Sequence, residues 1–171
     1  MKVKTGIILF FVLLSLGLSL YFLYNQVQQI KHKKEIYTTV PTFRLSDING
    51  NVITESDLQK NIPTLFLFFN PDCELCREEM VEIQLHQDAF SICQMVFFSP
   101  VPASEMIYFL ADIHFSPLSN MLFLADEDED LTKKMEVRTA PASYSYNRKA
   151  QLIKRFNGPV KIETLIKYLS E

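Results

Sequence analysis

The sequence has no tryptophan, and only four glycines, three cysteines and three histidines among 171 residues. So little glycine excludes a collagen-like or glycine-rich repeat. Three cysteines exclude a disulfide-dense scaffold. They also leave no second Cys-x-x-Cys pair to complete a four-ligand zinc site. Acid is missing from one end, because all 20 Asp and Glu lie at position 35 or later. Of the 17 Lys and Arg, five (Lys2, Lys4, Lys31, Lys33, Lys34) precede that point. The remainder carries 12 cations against 20 carboxylates, a net −8. A domain this acidic suits nucleic acid poorly, and no nucleic-acid partner is expected.

Charge is also absent from Gly6 to Tyr24, a run of 19 residues with no counterpart elsewhere in the chain. As a helix it would rise roughly 28 Å, about the apolar thickness of a bilayer. The run is longer than a usual signal-peptide core, and bulky residues follow it instead of a small-x-small cleavage site. No cysteine near its end offers lipid attachment. Tyr21 and Tyr24 fit an interfacial aromatic belt. The pattern predicts an uncleaved transmembrane anchor over residues 1–28, a polar stalk over 29–38 and a folded domain over 39–171. Lys2, Lys4 and the amino terminus favour an N-terminus inside. The domain then faces the periplasm or cell exterior, where disulfide chemistry operates. Lys31, Lys33 and Lys34 pull the other way, and a cytoplasm-facing domain is the alternative.

Within the domain, strands alternate with helices. Asp47-Ile48-Asn49-Gly50-Asn51 separates Phe43–Leu45 from Val52–Ile53 and signals a hairpin. Thr64 to Phe69 is a continuous apolar run, the mark of a strand buried on both faces. A helix is predicted over Glu74–His86, with Leu75, Val81, Ile83 and Leu85 among its apolar positions. Cys93–Phe98 and Met121–Leu124 read as further buried strands. A helix capped by Ser104 runs between them to about His114. The acidic run Asp126–Asp130 leads into a short helix ending near Met135. Ser143–Tyr146 and Leu152–Phe156 form a hairpin around Asn147-Arg148-Lys149-Ala150. Val160–Leu169 closes the chain as an amphipathic helix. Parallel pairs joined by helices, plus a late antiparallel hairpin, indicate a mixed α/β sheet.

Cys73-Glu74-Leu75-Cys76 stands between a predicted buried strand and a predicted helix. At a helix N-terminus, free N–H groups and the positive end of the dipole stabilise a thiolate. Two intervening residues let the second thiol reach the first across one turn. This arrangement suits a nucleophile, Cys73, and a resolving thiol, Cys76. Three other readings compete with redox chemistry. A structural zinc site takes four ligands, usually as two such pairs, and only Cys93 and three scattered histidines remain, His32 in the stalk, His86 and His114. A purely structural disulfide across so short a loop gains little. The pair could also be a coincidence on a core helix. Cys93 reads as a small hydrophobe within its strand. The acidic run lacks the glycine and spacing of a calcium loop and reads as a solvated helix start. No metal and no cofactor are expected.

These residues resemble the membrane-anchored thioredoxin-like disulfide reductases, the TlpA-like redoxins. The likeness spans about Thr39 to Glu171. It rests on the Phe43–Asn51 hairpin, on Thr64–Cys76, and on Val137-Arg138-Thr139-Ala140-Pro141. It implies a thioredoxin-like fold, a mixed central sheet flanked by helices, with an added N-terminal β-hairpin. It further implies a redox-active Cys73–Cys76 disulfide and a cis Pro141 beside Cys73. Ala140 would offer its backbone to an incoming substrate strand. The implied partners are a protein disulfide substrate and an upstream thiol electron donor. The sequence departs from the family at Asp72, where an aromatic residue is common. It also departs at Leu67, where thioredoxins proper often bury a carboxylate, and at Ala150, where the hairpin usually has glycine. Asn70 replaces the Thr or Ser that precedes the reactive cysteine of peroxiredoxins, so peroxidase activity is not expected. The expected activity is reduction of disulfides in exported proteins. The alternative is a membrane-tethered binding or adapter module that uses the fold without turnover.

Overall fold

The computed structural model describes residues 13–26 and 39–170. The chain divides into two compact units, Met1–Ile36 and Tyr37–Glu171. In the first, residues 13–26 form helix α1, with every side chain exposed. No helix among the described residues is long and apolar enough to cross a membrane. Residues 1–12 and 27–28 of the predicted anchor, and the whole predicted stalk, lie outside the described residues.

The second unit is built on a seven-stranded sheet in the order β2-β1-β5-β4-β3-β6-β7. The strands are β1 (Arg44–Asp47), β2 (Val52–Thr54), β3 (Thr64–Phe68), β4 (Gln94–Ser99), β5 (Met121–Ala125), β6 (Ala142–Tyr146) and β7 (Leu152–Asn157). β3, β4 and β5 are mutually parallel, and the remaining pairs are antiparallel. Helices α2 (Glu74–Leu85), α3 (Ala103–Asp112), α4 (Asp130–Lys134) and α5 (Ile162–Leu169) supply the connections and the closing segment. The mixed α/β sheet and the thioredoxin-like architecture expected from the sequence are both present.

Alternation along the strands sorts the core into two layers. Leu65, Leu67, Met95, Phe97 and Phe123 point to one face, where α2, α3 and α5 pack. Phe66, Phe68, Val96, Phe98 and Tyr144 point to the other, against Leu131 and Met135. Phe97 and Phe123 stack with centroids 4.5 Å apart and planes within 4°. Such ring pairs add roughly 0.5–1.5 kcal/mol beyond their buried area.

Three local expectations change. Ser104 does not cap α3. Pro102 holds the cap position without a side-chain hydrogen bond, and Ser104 lies inside the first turn. The buried face of α2 is Cys76, Glu79, Met80 and Ile83. Leu75, Val81 and Leu85 are exposed, because the 3.6-residue period that buries Cys76 turns them outward. The acidic run is only partly solvated. Asp126 is wholly buried, and its carboxylate accepts from the Leu131 and Thr132 N–H groups at 3.0 and 2.7 Å and from the Thr132 hydroxyl at 2.7 Å. It therefore pins the start of α4, where free N–H groups need acceptors.

Candidate active site

β3 ends at Phe68, and the Phe69 N–H extends its pairing by donating to Phe98 O at 3.1 Å. Asn70-Pro71-Asp72 then turns the chain. Asn70 Oδ1 accepts from the Asp72 N–H at 2.9 Å, and Asn70 O accepts from the Cys73 N–H at 3.0 Å. This asparagine turn sets Cys73 at the N-cap of α2 in an extended conformation (φ −94°, ψ 116°). Its side chain makes no capping hydrogen bond and is free for other contacts. Cys73 is half-buried, Cys76 is fully buried, and both are free thiols.

The predicted site residues come together. The Ala140–Pro141 peptide bond is cis, and the Cys73 thiol donates to Ala140 O at 3.5 Å. Cys76 Sγ accepts from the Asn70 N–H at 3.5 Å. Burial raises the Cys76 thiol to about 12 against the help of that N–H, and the neighbouring Cys73 and Glu79 push it the same way. The two sulfurs thus differ in access. One meets the surface beside the Ala140 backbone, and the other waits behind it. Small pockets flank the pair. One of about 300 Å³ lies between Pro71, Asp72 and Tyr108, and one of about 240 Å³ lies along Arg138, Thr139 and Ala140.

Glu79 is the site residue that sequence reasoning missed. The sequence presents it as one of several carboxylates near the cysteines. The fold buries it to 4% exposure, one turn beyond Cys76. Its Oε1 accepts from the Val160 N–H at 3.0 Å, and its Oε2 is buried without a partner. Burial lifts this carboxyl to about 7, and the Val160 hydrogen bond opposes the rise only in part. Leu67, the position expected from the sequence to differ from the buried carboxylate frequent in thioredoxins proper, is fully buried in the core. The buried acid stands on the helix instead of the strand. The spacing Cys76, Glu79, Met80, Ile83 is the helical signal that could have found it.

Chemically, the arrangement offers a half-buried thiol, a fully buried thiol held in reserve and a carboxyl near neutrality. Among the described residues, no group of three or more His, Cys, Asp or Glu could hold a metal ion.

Comparison with known proteins agrees with the fold. The AhpC/TSA family model matches residues 36–156. No curated protein matches the sequence. Among solved structures, the chain is similar to a secreted Mycobacterium tuberculosis disulfide oxidoreductase homologous to Escherichia coli DsbE. That match has 17% identity and a TM-score of 0.64, and covers 75% of this chain and 94% of that one. StoA from Bacillus subtilis matches at 20% identity and TM-score 0.61, over 77% of this chain and 98% of that one. The peroxidoxin BcpB from Mycobacterium tuberculosis matches at 15% identity and TM-score 0.66, over 77% and 94%. Likeness at these identities establishes the thioredoxin-like fold.

Proposed function

We propose, because the chain belongs to the AhpC/TSA family and carries a Cys-x-x-Cys pair at a helix N-terminus, that it is a membrane-anchored thiol–disulfide oxidoreductase. In this reading it reduces disulfides of exported proteins. The observation that carries the reading is the pairing of a half-buried Cys73, 3.5 Å from Ala140 O, with a buried Cys76 behind it.

The reaction proceeds in two exchanges. The Cys73 thiolate attacks one sulfur of the substrate disulfide, forming a mixed disulfide and releasing the first substrate thiolate, which takes up a proton. Cys76 then gives its proton to Glu79 and attacks Cys73 Sγ. The Cys73–Cys76 disulfide forms as the mixed disulfide breaks, and the second substrate sulfur leaves as a thiolate that takes up a proton from solvent. Two electrons have passed to the substrate, and an upstream thiol donor restores the pair. Glu79 suits the second step because its carboxyl, lifted to about 7, holds a proton more readily than an ordinary glutamate does. Ala140 and Pro141 present backbone to the substrate strand, and Pro141, having no N–H, places no donor against the sulfurs.

The charge-free run Gly6–Tyr24 supports the anchor, and Lys2 and Lys4 support export of the domain. Asn70, whose side-chain oxygen is engaged by the Asp72 N–H, supports disulfides over peroxides as substrates.

Insulin reduction and substrate trapping test the reading. Cys73→Ser should abolish turnover and trap nothing, whereas Cys76→Ser should accumulate mixed disulfides. If both single variants keep wild-type turnover, the oxidoreductase reading fails. If neither the wild type nor Cys76→Ser engages any disulfide, the binding-module alternative takes its place.

A further inference from the structure

Strand register gives the domain two opposed edges. At one, Phe68 lies opposite Ala142, next to Cys73 and Pro141. At the other, Thr64 lies opposite both Tyr146 and Gln94, and Met95 lies opposite Met121. The segments before β3, β4 and β5 and the β6–β7 turn therefore gather at the edge remote from the cysteines. The chain enters the domain there too, since Thr39 bridges to Gln151.

This remote edge differs chemically from the rest of the acidic domain. A pocket of about 410 Å³ is lined by Lys60, Arg148 and Lys149, among others. All three cations are exposed, and their side chains make no hydrogen bond or ion pair among the described residues. The one carboxylate in the lining, Glu55, is engaged by the Phe43 N–H at 3.1 Å. Two exposed carboxylates accompany it at this edge: Asp57, which accepts from the Thr54 N–H and hydroxyl at 2.8 and 2.6 Å, and Asp88. Ile92 and Leu118, which precede β4 and β5, are 48% and 37% exposed. The redox edge carries the opposite sign, with exposed Asp72, Glu74, Glu105, Glu127 and Asp128 outnumbering exposed Lys133, Arg138 and Lys161. Lys31, Lys33 and Lys34 lie in the sequence shortly before Thr39.

The geometry points to the Lys60–Arg148–Lys149 edge as a docking surface for anionic lipid headgroups, which holds Cys73 on the side away from the bilayer. Unpaired cations with neighbouring exposed apolar side chains suit the headgroup region, and the acidic redox edge is repelled from it. The described part of the domain begins at this edge, at Thr39, so its N-terminal end lies on the proposed docking side. The proposal rests on the anchored reading above.

The lack of tryptophan makes an introduced one a single reporter. Ile92→Trp marks the remote edge, and Leu75→Trp, at a side chain 45% exposed, marks the redox edge. The full chain is reconstituted into phosphatidylcholine vesicles with and without phosphatidylglycerol, each doped with headgroup-labelled quenching lipid. Quenching of Ile92→Trp should at least double with phosphatidylglycerol and disappear in high salt, where charges are screened. It should also disappear when Lys60, Arg148 and Lys149 are all changed to Glu, because each cation shifts the docked-to-free ratio about fivefold. Leu75→Trp should stay unquenched in both vesicles. Equal quenching of Ile92→Trp in the two vesicles, indifference to the triple charge reversal, or quenching of Leu75→Trp would each overturn the proposal. Flotation with pure phosphatidylcholine tests the anchor separately. A chain that floats only with phosphatidylglycerol keeps the docking surface and removes the anchor, and a chain that floats with neither removes both.

Discussion

Replacing Glu79 by Gln should remove a large part of the pH dependence of folding. The wild-type carboxyl stands near 7 in the folded protein, against 4.5 for an ordinary glutamate. The folded state therefore holds the proton more tightly than the unfolded chain. The associated stability is fully present below about pH 4.5 and is lost as pH rises through about 7. A difference of this size corresponds to about 3 kcal/mol between the two limits. In Glu79→Gln the amide Oε1 can still accept from the Val160 N–H, while Nε2 inherits the unpartnered place of Oε2. That orphaned donor costs about 1–3 kcal/mol, but equally at every pH. The slope is thus the observable, and the offset is not. Urea unfolding of the reduced full chain, followed by far-ultraviolet circular dichroism at pH 5, 6, 7 and 8, gives both profiles. The wild type should lose about 2–3 kcal/mol relative to the variant between pH 5 and pH 8, the part of the full difference that lies above the unfolded value. Parallel profiles would refute the buried, proton-holding Glu79, and with it the proton acceptor assigned to Cys76.

Three further outcomes are expected. Ala150 adopts φ +56°, where an L side chain is strained, so Ala150→Gly should stabilise the domain by about 0.5–1 kcal/mol in the same urea assay, the relief of strain outweighing the entropy of glycine. Asp126→Ala should cost about 2–3 kcal/mol, since it strips buried acceptors from the Leu131 and Thr132 N–H groups; an unchanged urea midpoint would contradict this. Iodoacetamide at pH 8 should label Cys73 alone in the reduced native protein, because Cys76 and Cys93 are buried and each thiol is raised to about 12; mass spectrometry of digests should find those two labelled only after unfolding.

Much of this architecture is legible in local sequence. Unbroken apolar runs such as Thr64–Phe69 announce strands covered on both faces, because a strand buried twice cannot alternate. Asn49-Gly50 announces the first hairpin, and Gly50 takes φ +84° as that turn requires. The position of Cys73-Glu74-Leu75-Cys76 between such a run and a helix pattern marks the redox pair, because a helix N-terminus has its own local signature. The charge-free run Gly6–Tyr24 is equally legible, although residues 1–12 lie outside the described structure.

Other features exist only once the chain is folded. Leu75, Val81 and Leu85 look like core positions, yet Cys76, Met80 and Ile83 fill the buried face of α2, because the sheet chooses which side of a helix it covers. Glu79 looks like any surface glutamate until α5 and the Val160 segment close over it and remove its water. Asp126 looks solvated until the first turn of α4 surrounds it. The approach of Ala140 to Cys73 spans 67 residues, a separation no local pattern encodes. The sequence by itself therefore determines the strand-and-helix order and the thiol pair, through backbone preference and hydrophobic period. The tertiary structure alone decides which carboxyl is dehydrated and which thiol is reached first, since burial belongs to the packed whole and not to any one segment.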